Sequence, residues 1–318
     1  MSLQRLPLDI STFKRLRDDK CLYVDKTQHA YNLIKNGYRF FLSRPRRFGK
    51  SLMVSMLKSV LLGDRSVFHG LWIDKSDYAW APHGVVSLDL SSLDAKTPEA
   101  LTHGIADRLE IIAQEHDIDV VLDRISTGLD LQKVVVALHK RFGRVAVLID
   151  EYDSPILRSL HDTERAKAMR DMLHGFFSAI KGLDEYINFV FITGVSSFAK
   201  AGIFSGMNNL QIITTRDPYA DICGYTDGEI DTYFSPYIEA WAHNAVIPYE
   251  QQRQKIKDWY NGYRFSSSIT AVYNPFSVIY TLHNQKMEQL AKKHRDDLDI
   301  QDIGAFEIEY TVNEIHGT

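Results

Sequence analysis

One stretch limits what this chain can fold into: Arg39-Phe40-Phe41-Leu42-Ser43-Arg44-Pro45-Arg46-Arg47-Phe48-Gly49-Lys50-Ser51. It begins as an apolar strand, turns, and ends in Gly-Lys-Ser. A helix follows, with apolar residues at helical spacing (Leu52, Met53, Met56, Leu57, Val60, Leu61). Strand, loop, Gly-Lys-Ser and helix together make the layout of a phosphate-binding loop. A helix N-terminus presents unpaired N–H groups and partial positive charge, which suit an anion. Gly49 lets the backbone come close to a phosphate, Lys50 would reach the outer phosphates, and the Ser51 hydroxyl would ligate Mg²⁺. The usual motif has glycine where this chain has Arg44. A loop needing positive φ there would be strained by arginine.

A second stretch supplies the partner. Arg144-Val145-Ala146-Val147-Leu148-Ile149-Asp150-Glu151 contains five consecutive apolar residues and then two acids. Such a run reads as a strand buried on both faces of a parallel sheet, and it is expected beside the loop strand. Asp150 would hold the Mg²⁺ shell and Glu151 would polarise the attacking water. Paired acids at a strand end also occur as helix caps, but their order behind an upstream Gly-Lys-Ser favours the catalytic reading.

The remaining patterns agree with an α/β fold. Strands are expected at 38–43, 85–90, 144–151, 187–194 and 210–213. Helices are expected from about 27 to 36, 50 to 62, 98 to 116, 130 to 142 and 162 to 181. Strands alternating with helices predict a three-layer α/β sandwich with a mostly parallel sheet. Thr193, polar at the end of its strand, sits where ligands bind in such sheets and would sense the terminal phosphate, position water or simply bond its own loop. From Tyr225 onward the pattern turns helical, with a helix opened by Asp227-Gly228-Glu229, a second carrying Ile256, Trp259 and Tyr260, and a third from Asn274-Pro275-Phe276 through about Lys293. This divides the chain into a nucleotide-binding domain, 1–224, and a smaller helical, lid-like region, 225–318.

Composition excludes some classes. The net charge of −4 does not indicate a whole-surface nucleic-acid binder. Cys21 and Cys223 lie far apart, lack metal-ligand spacing and fit a reducing, cytoplasmic compartment. No signal peptide and no membrane-length apolar run is expected. Asp94-Ala95-Lys96, with Asp89 upstream, has the D-x-K form of a nuclease site, but the spacing is poor.

These segments, joined by Tyr23-Val24-Asp25-Lys26-Thr27, Tyr152-Asp153, Phe191-Ile192-Thr193-Gly194-Val195-Ser196, Ile203-Phe204-Ser205, Asn208-Asn209-Leu210, Ile222-Cys223-Gly224-Tyr225-Thr226, Asn261-Gly262-Tyr263-Arg264-Phe265 and Tyr273-Asn274-Pro275-Phe276, resemble the AAA-ATPase-like family, relatives of the P-loop NTPases. The resemblance runs from about residue 10 to 280, and Arg44 in place of the first motif glycine looks typical of it. It implies a P-loop NTPase sandwich, ATP binding and Mg²⁺-dependent hydrolysis. Relatives often carry a PD-(D/E)xK nuclease domain, which is absent here, so the chain looks like a shortened member or a truncated fragment. Residues 281–318 depart from the pattern.

The resulting expectation places Arg44 through Leu52 (Arg44, Pro45, Arg46, Arg47, Phe48, Gly49, Lys50, Ser51, Leu52) around ATP. Ser51 and Asp150 hold Mg²⁺, with Lys50, Glu151 and Thr193 at the reaction. The alternative is a nucleotide-gated binding module with little turnover, in which Arg44, Arg46 and Arg47 clamp phosphate. Many relatives of this fold are oligomers with a trans-acting arginine, for which Arg158, Arg216 and Arg264 are candidates.

Overall fold

The apolar runs become the strands of one sheet. In the computed structural model, which describes residues 3–196, 202–204, 207, 209–267 and 269–286, these are β1 (Arg39–Ser43), β2 (Gly84–Asp89), β3 (Val145–Asp150), β4 (Ile187–Gly194) and β5 (Leu210–Ile212). They lie in the order β2-β3-β4-β1-β5, and every pairing is parallel. All five residues of β1 and all six of β3 are buried. That is the both-faces burial implied by unbroken apolar strands.

Side chains alternate between two layers because successive strand residues point to opposite faces. Phe41, Val86, Leu88, Val147, Ile149, Val190 and Ile192 face one core. It is closed by α4 (Pro98–Glu115), α5 (Thr127–Phe142), the short α6 (Ser154–Leu157) and α7 (Thr163–Gly182). Phe40, Leu42, Val85, Ala146, Leu148, Phe189 and Phe191 face the other. There the cover is α1 (Phe13–Asp18), α2 (Thr27–Asn36) and α3 (Lys50–Leu61). The expected three-layer α/β sandwich is therefore the observed one.

Strand order departs from expectation at one place. β3 does not lie beside β1; β4 is inserted between them, pairing Phe41 with Ile192 on one side and Ile149 with Ile192 on the other. The registers still bring the ends of β1, β3 and β4 to one level. The acids of β3 and the loop after β1 thus emerge on the same edge.

The C-terminal helices are α8 (Asp227–Glu229), α9 (Ser235–Ala245), α10 (Tyr249–Tyr260) and α11 (Pro275–Asn284). A capping box formed by Thr226 and Glu229 opens the first of them. The expected continuous helix from residue 227 is instead broken by a π-helical turn at Ile230–Phe234. Pro236 explains the break, since it sits in the first turn of α9 and has no N–H for the preceding helix ladder. The last helix stops at Asn284, with Gln285 in a left-handed turn, short of the expected end; Lys293 lies outside the described residues. Leu6, Leu22 and Val24 of the N-terminal segment pack into this helical core with Ile230, Ile238, Ile256 and Val278. Among the described residues no helix is long and apolar enough to cross a membrane.

Gly194 ends β4 where no side chain fits: a Cβ there would lie 2.5 Å from two ring carbons of Tyr152, which is fully buried. Gly194→Ala should lower unfolding stability by about 2 kcal/mol, the usual cost of overpacking a core. Urea denaturation followed by tryptophan fluorescence measures it, and an unchanged midpoint would contradict this packing.

Candidate nucleotide site

The site forms where the loop after β1 enters α3. Gly49 precedes the helix with φ 92° and ψ 16° and offers no side-chain cap. A residue with a Cβ would be strained at that φ. The first N–H groups of α3 therefore have no side-chain capping partner and face the loop. Lys50 is 3% exposed. Its ammonium donates to the carbonyl oxygens of Arg44 (3.0 Å) and Pro45 (3.3 Å) and pairs with Glu151 at 3.1 Å.

The second half comes from the end of β3. Asp150 is 4% exposed. Burial pushes its carboxyl up, while the hydroxyls of Ser51 and Thr193 donate to it and pull it down; nearby Glu151 and Asp89 push it up again. Glu151 follows in the left-handed region with φ 50°, and Arg47 in the loop does the same with φ 64°. Backbone strain of this kind collects at functional sites, and both residues line the same cavity. That cavity has a volume of about 410 Å³. The loop residues Arg47, Phe48, Gly49, Lys50, Ser51 and Leu52 form one end of it, with Glu151. Pro7–Ser11, Tyr23, Val24 and Lys26 wall the rest, together with Ile222–Tyr225 and with Pro275, Phe276 and Ile279 of α11.

Two expectations are corrected. Arg44 does not face this cavity: it is 1% exposed and turned inward. Its guanidinium donates to the carbonyls of Ser43, Thr214 and Tyr219, each at 2.9 Å, and lies over the Phe265 ring. Burial lowers it to about 10, so it stays protonated at neutral pH. Arginine at this motif position braces the loop to distant chain rather than clamping phosphate, and the left-handed φ falls at Arg47 instead. Thr193 is fully buried behind Asp150, to which its hydroxyl donates, and is not among the cavity-lining residues. Its contact is with the carboxylate, not with the space a nucleotide would fill.

Other candidates are placed as follows. Arg46 is exposed and Pro45 contributes only its carbonyl. Arg158 donates to the carbonyls of Leu93 and Ser91, and Arg216 to Gln211, while Arg264 is exposed. Asp94 accepts the N–H of Lys96 within its own turn and Asp89 that of Ser91, which is ordinary loop capping. Among the described residues no group of three or more His, Cys, Asp or Glu could hold a metal. A P-loop Mg²⁺ needs no such cage, because waters and phosphate oxygens supply most of its shell. Both cysteines are free and buried, as their spacing suggested; Cys223 lines the cavity.

Asp153 had been given no role. It is fully buried, and one carboxylate oxygen accepts the N–H groups of Val195 (3.0 Å) and Ser196 (2.7 Å) and the Ser196 hydroxyl. It ties the acidic strand end to the loop after β4. Its presence in the Asp150-Glu151-Tyr152-Asp153 string was visible; its distant partners were not.

A curated protein of Azotobacter chroococcum mcd 1, described as an uncharacterized protein in the vnfD 5′ region, is 36% identical over 282 residues. That alignment covers 88% of this chain and 52% of that protein, so the chain spans about half the length of the curated relative it matches. Two solved structures are distantly alike. The Aeropyrum pernix Orc1 protein in complex with DNA has 10% identity and a TM-score of 0.37, over 86% of this chain and 64% of that one. Drosophila ORC bound to poly(dA/dT) DNA and Cdc6 has 11% identity and a TM-score of 0.39, over 86% of this chain and 38% of that one. The family described as "Predicted AAA-ATPase" matches residues 7–204. With its loop, its acidic strand and this match, the chain belongs to the AAA-ATPase-like family and has its nucleotide-binding P-loop fold.

Proposed function

We propose that this protein binds ATP and hydrolyses it with Mg²⁺. One observation carries the reading: Lys50, Ser51 and Glu151, from stretches about a hundred residues apart, line one cavity, and Asp150 lies buried behind it, taking the Ser51 hydroxyl. The residues suit both groups. Free N–H groups at the start of α3 and the Lys50 ammonium would take the phosphates. Ser51 and Asp150 would hold Mg²⁺, whose charge neutralises that building up on the phosphates during transfer. Asp150 takes the hydroxyls of Ser51 and Thr193 and the N–H of Glu151 and, among the described residues, has no ion pair, which leaves a buried carboxylate suited to a cation.

The chain's own residues then divide the work. Lys50 must leave its loop carbonyls to donate to phosphate oxygens, a charge-assisted exchange. Glu151, freed from Lys50, accepts a proton from the attacking water. Thr193 holds the Asp150 carboxylate in one rotamer and acts through it. Residues 1–224 are read as the nucleotide-binding domain and 225–318 as a lid-like region. Free cysteines favour a cytoplasmic setting, and homo-oligomers are expected.

A second reading, nucleotide binding without repeated turnover, is favoured by the Lys50–Glu151 pair itself, which ties up the proposed base. ATP hydrolysed once per chain, with no steady state, would select it.

Lys50→Ala should weaken ATP binding at least about tenfold, the worth of a charge-assisted contact. Glu151→Gln should bind ATP within about twofold of wild type and lower kcat about a hundredfold or more. Phosphate release and calorimetry read the two separately; equal turnover in wild type and both variants would remove the reading.

Asp150→Asn gives a pH-dependent test. A buried carboxyl whose folded pKa is raised costs stability once both folded and unfolded forms are ionised, and that cost fades as pH falls through the folded value. Without nucleotide, Asp150→Asn should therefore melt higher than wild type at pH 7, with the gain shrinking toward pH 4. A variant that melts lower at neutral pH would show that Asp150 is stabilised as a carboxylate by the fold itself.

A further inference from the structure

The phosphate loop is gripped by aromatic rings from the chain beyond α10. Arg44 lies 4.0 Å over Phe265, and Phe48 packs edge-on against Tyr263 and Phe265 at 4.8 and 5.3 Å. Both of these loop residues are interior, and the Arg44 guanidinium is engaged by carbonyls. Arg47 differs. It is exposed, strained to φ 64°, and lines the cavity that holds Lys50, Ser51 and Glu151. Its guanidinium lies 3.9 Å from the ring of Phe276, which lines the same cavity. Among the described residues no hydrogen bond or ion pair holds it.

Phe276 is itself fixed. Asn274 is buried and accepts the N–H of Ser277 at 3.1 Å, and Pro275 sets the first turn of α11. One turn on, Tyr280 stacks on the Phe276 ring at 5.6 Å with 30° between planes. The ring is thus held by a capped helix and offers its face to a loop cation.

We propose that Phe276 is a positioning residue: it holds Arg47 at the cavity wall so that the guanidinium meets the terminal phosphate of a bound nucleoside triphosphate. This rests on the ATP reading above and adds to it how the triphosphate is told from the diphosphate. A guanidinium can stack on a ring through its face while its edge N–H groups stay free to donate to phosphate oxygens. A side chain already held in place loses less rotamer freedom on contact, so more of the contact appears as affinity. The terminal phosphate adds charge at the far end of the loop, where an extra cation discriminates most. Because Phe276 belongs to α11, the same contact would join the phosphate state to the C-terminal helices.

The experiment measures ATP and ADP affinities, with Mg²⁺, on the full chain. Arg47→Ala should lose about tenfold in ATP affinity and little in ADP affinity. Phe276→Leu keeps apolar bulk and removes the ring face; it should lose about threefold to fivefold for ATP alone. Phe276→Tyr keeps the face and should match wild type. The double variant Arg47→Ala/Phe276→Leu should be no worse than Arg47→Ala. Arg47→Lys, at an exposed position where folding is not at stake, keeps the charge but not the planar stack and should lose most of the ATP preference. The proposal is overturned if Phe276→Leu and Phe276→Tyr behave alike, if Phe276→Leu weakens ATP and ADP equally, if the losses add in the double variant, or if Arg47→Lys keeps the full preference. Lys50→Ala separates the two levels. Should it bind both nucleotides as well as wild type does, the nucleotide reading itself falls, whatever Phe276 does.

Discussion

A carboxylate at the end of a strand buried on both faces must find its donors within the protein, and besides the N–H of the adjoining Glu151 Asp150 finds two hydroxyls. Ser51 reaches it from the helix after the phosphate loop and Thr193 from the neighbouring strand. Those hydroxyls tie α3, β3 and β4 together at the sheet's edge. The sheet favours this meeting: parallel registers bring three strand ends level, between two layers of apolar side chains. Lys50 and Glu151 complete the edge by pairing with one another. The polar groups of the site neutralise each other in a geometry that a nucleotide can take over group by group.

Much of this was legible in the chain. The layered fold followed from unbroken apolar runs alternating with helical periods, because both patterns record which faces are dry. The approach of the Gly49-Lys50-Ser51 turn to the Asp150-Glu151 strand end was legible because both signals are local and stand in a recognisable order along the chain. Strand order was not. Whether β4 lies between β1 and β3 depends on which helices cross which face, and no window of residues records that. Arg44 was misread for a related reason. By motif position it belongs to a phosphate; by contacts it belongs to the carbonyls of Thr214 and Tyr219, which lie far along the chain. Phe276 offered a helix-opening signal and no more, since its meaning lies in the ring–cation contact with Arg47.

The loop is therefore supported from two directions. Arg44 and Phe48 fasten its underside to residues 214–219 and 263–265, while Arg47 leans on α11. A loop that must accept a large anion without collapsing benefits from such support, because the backbone of Gly49 supplies none of its own.

The helical core has a further implication. Leu6, Leu22 and Val24 insert among the C-terminal helices, the N–H of Leu22 bonds to the carbonyl of Arg5, and the Tyr237 hydroxyl bonds to the carbonyl of Gln4. The start of the chain is thus threaded into its later half. Cutting at residue 225 would strand three aliphatic side chains on one fragment and strip the covering from the other, so neither piece would inherit an intact surface.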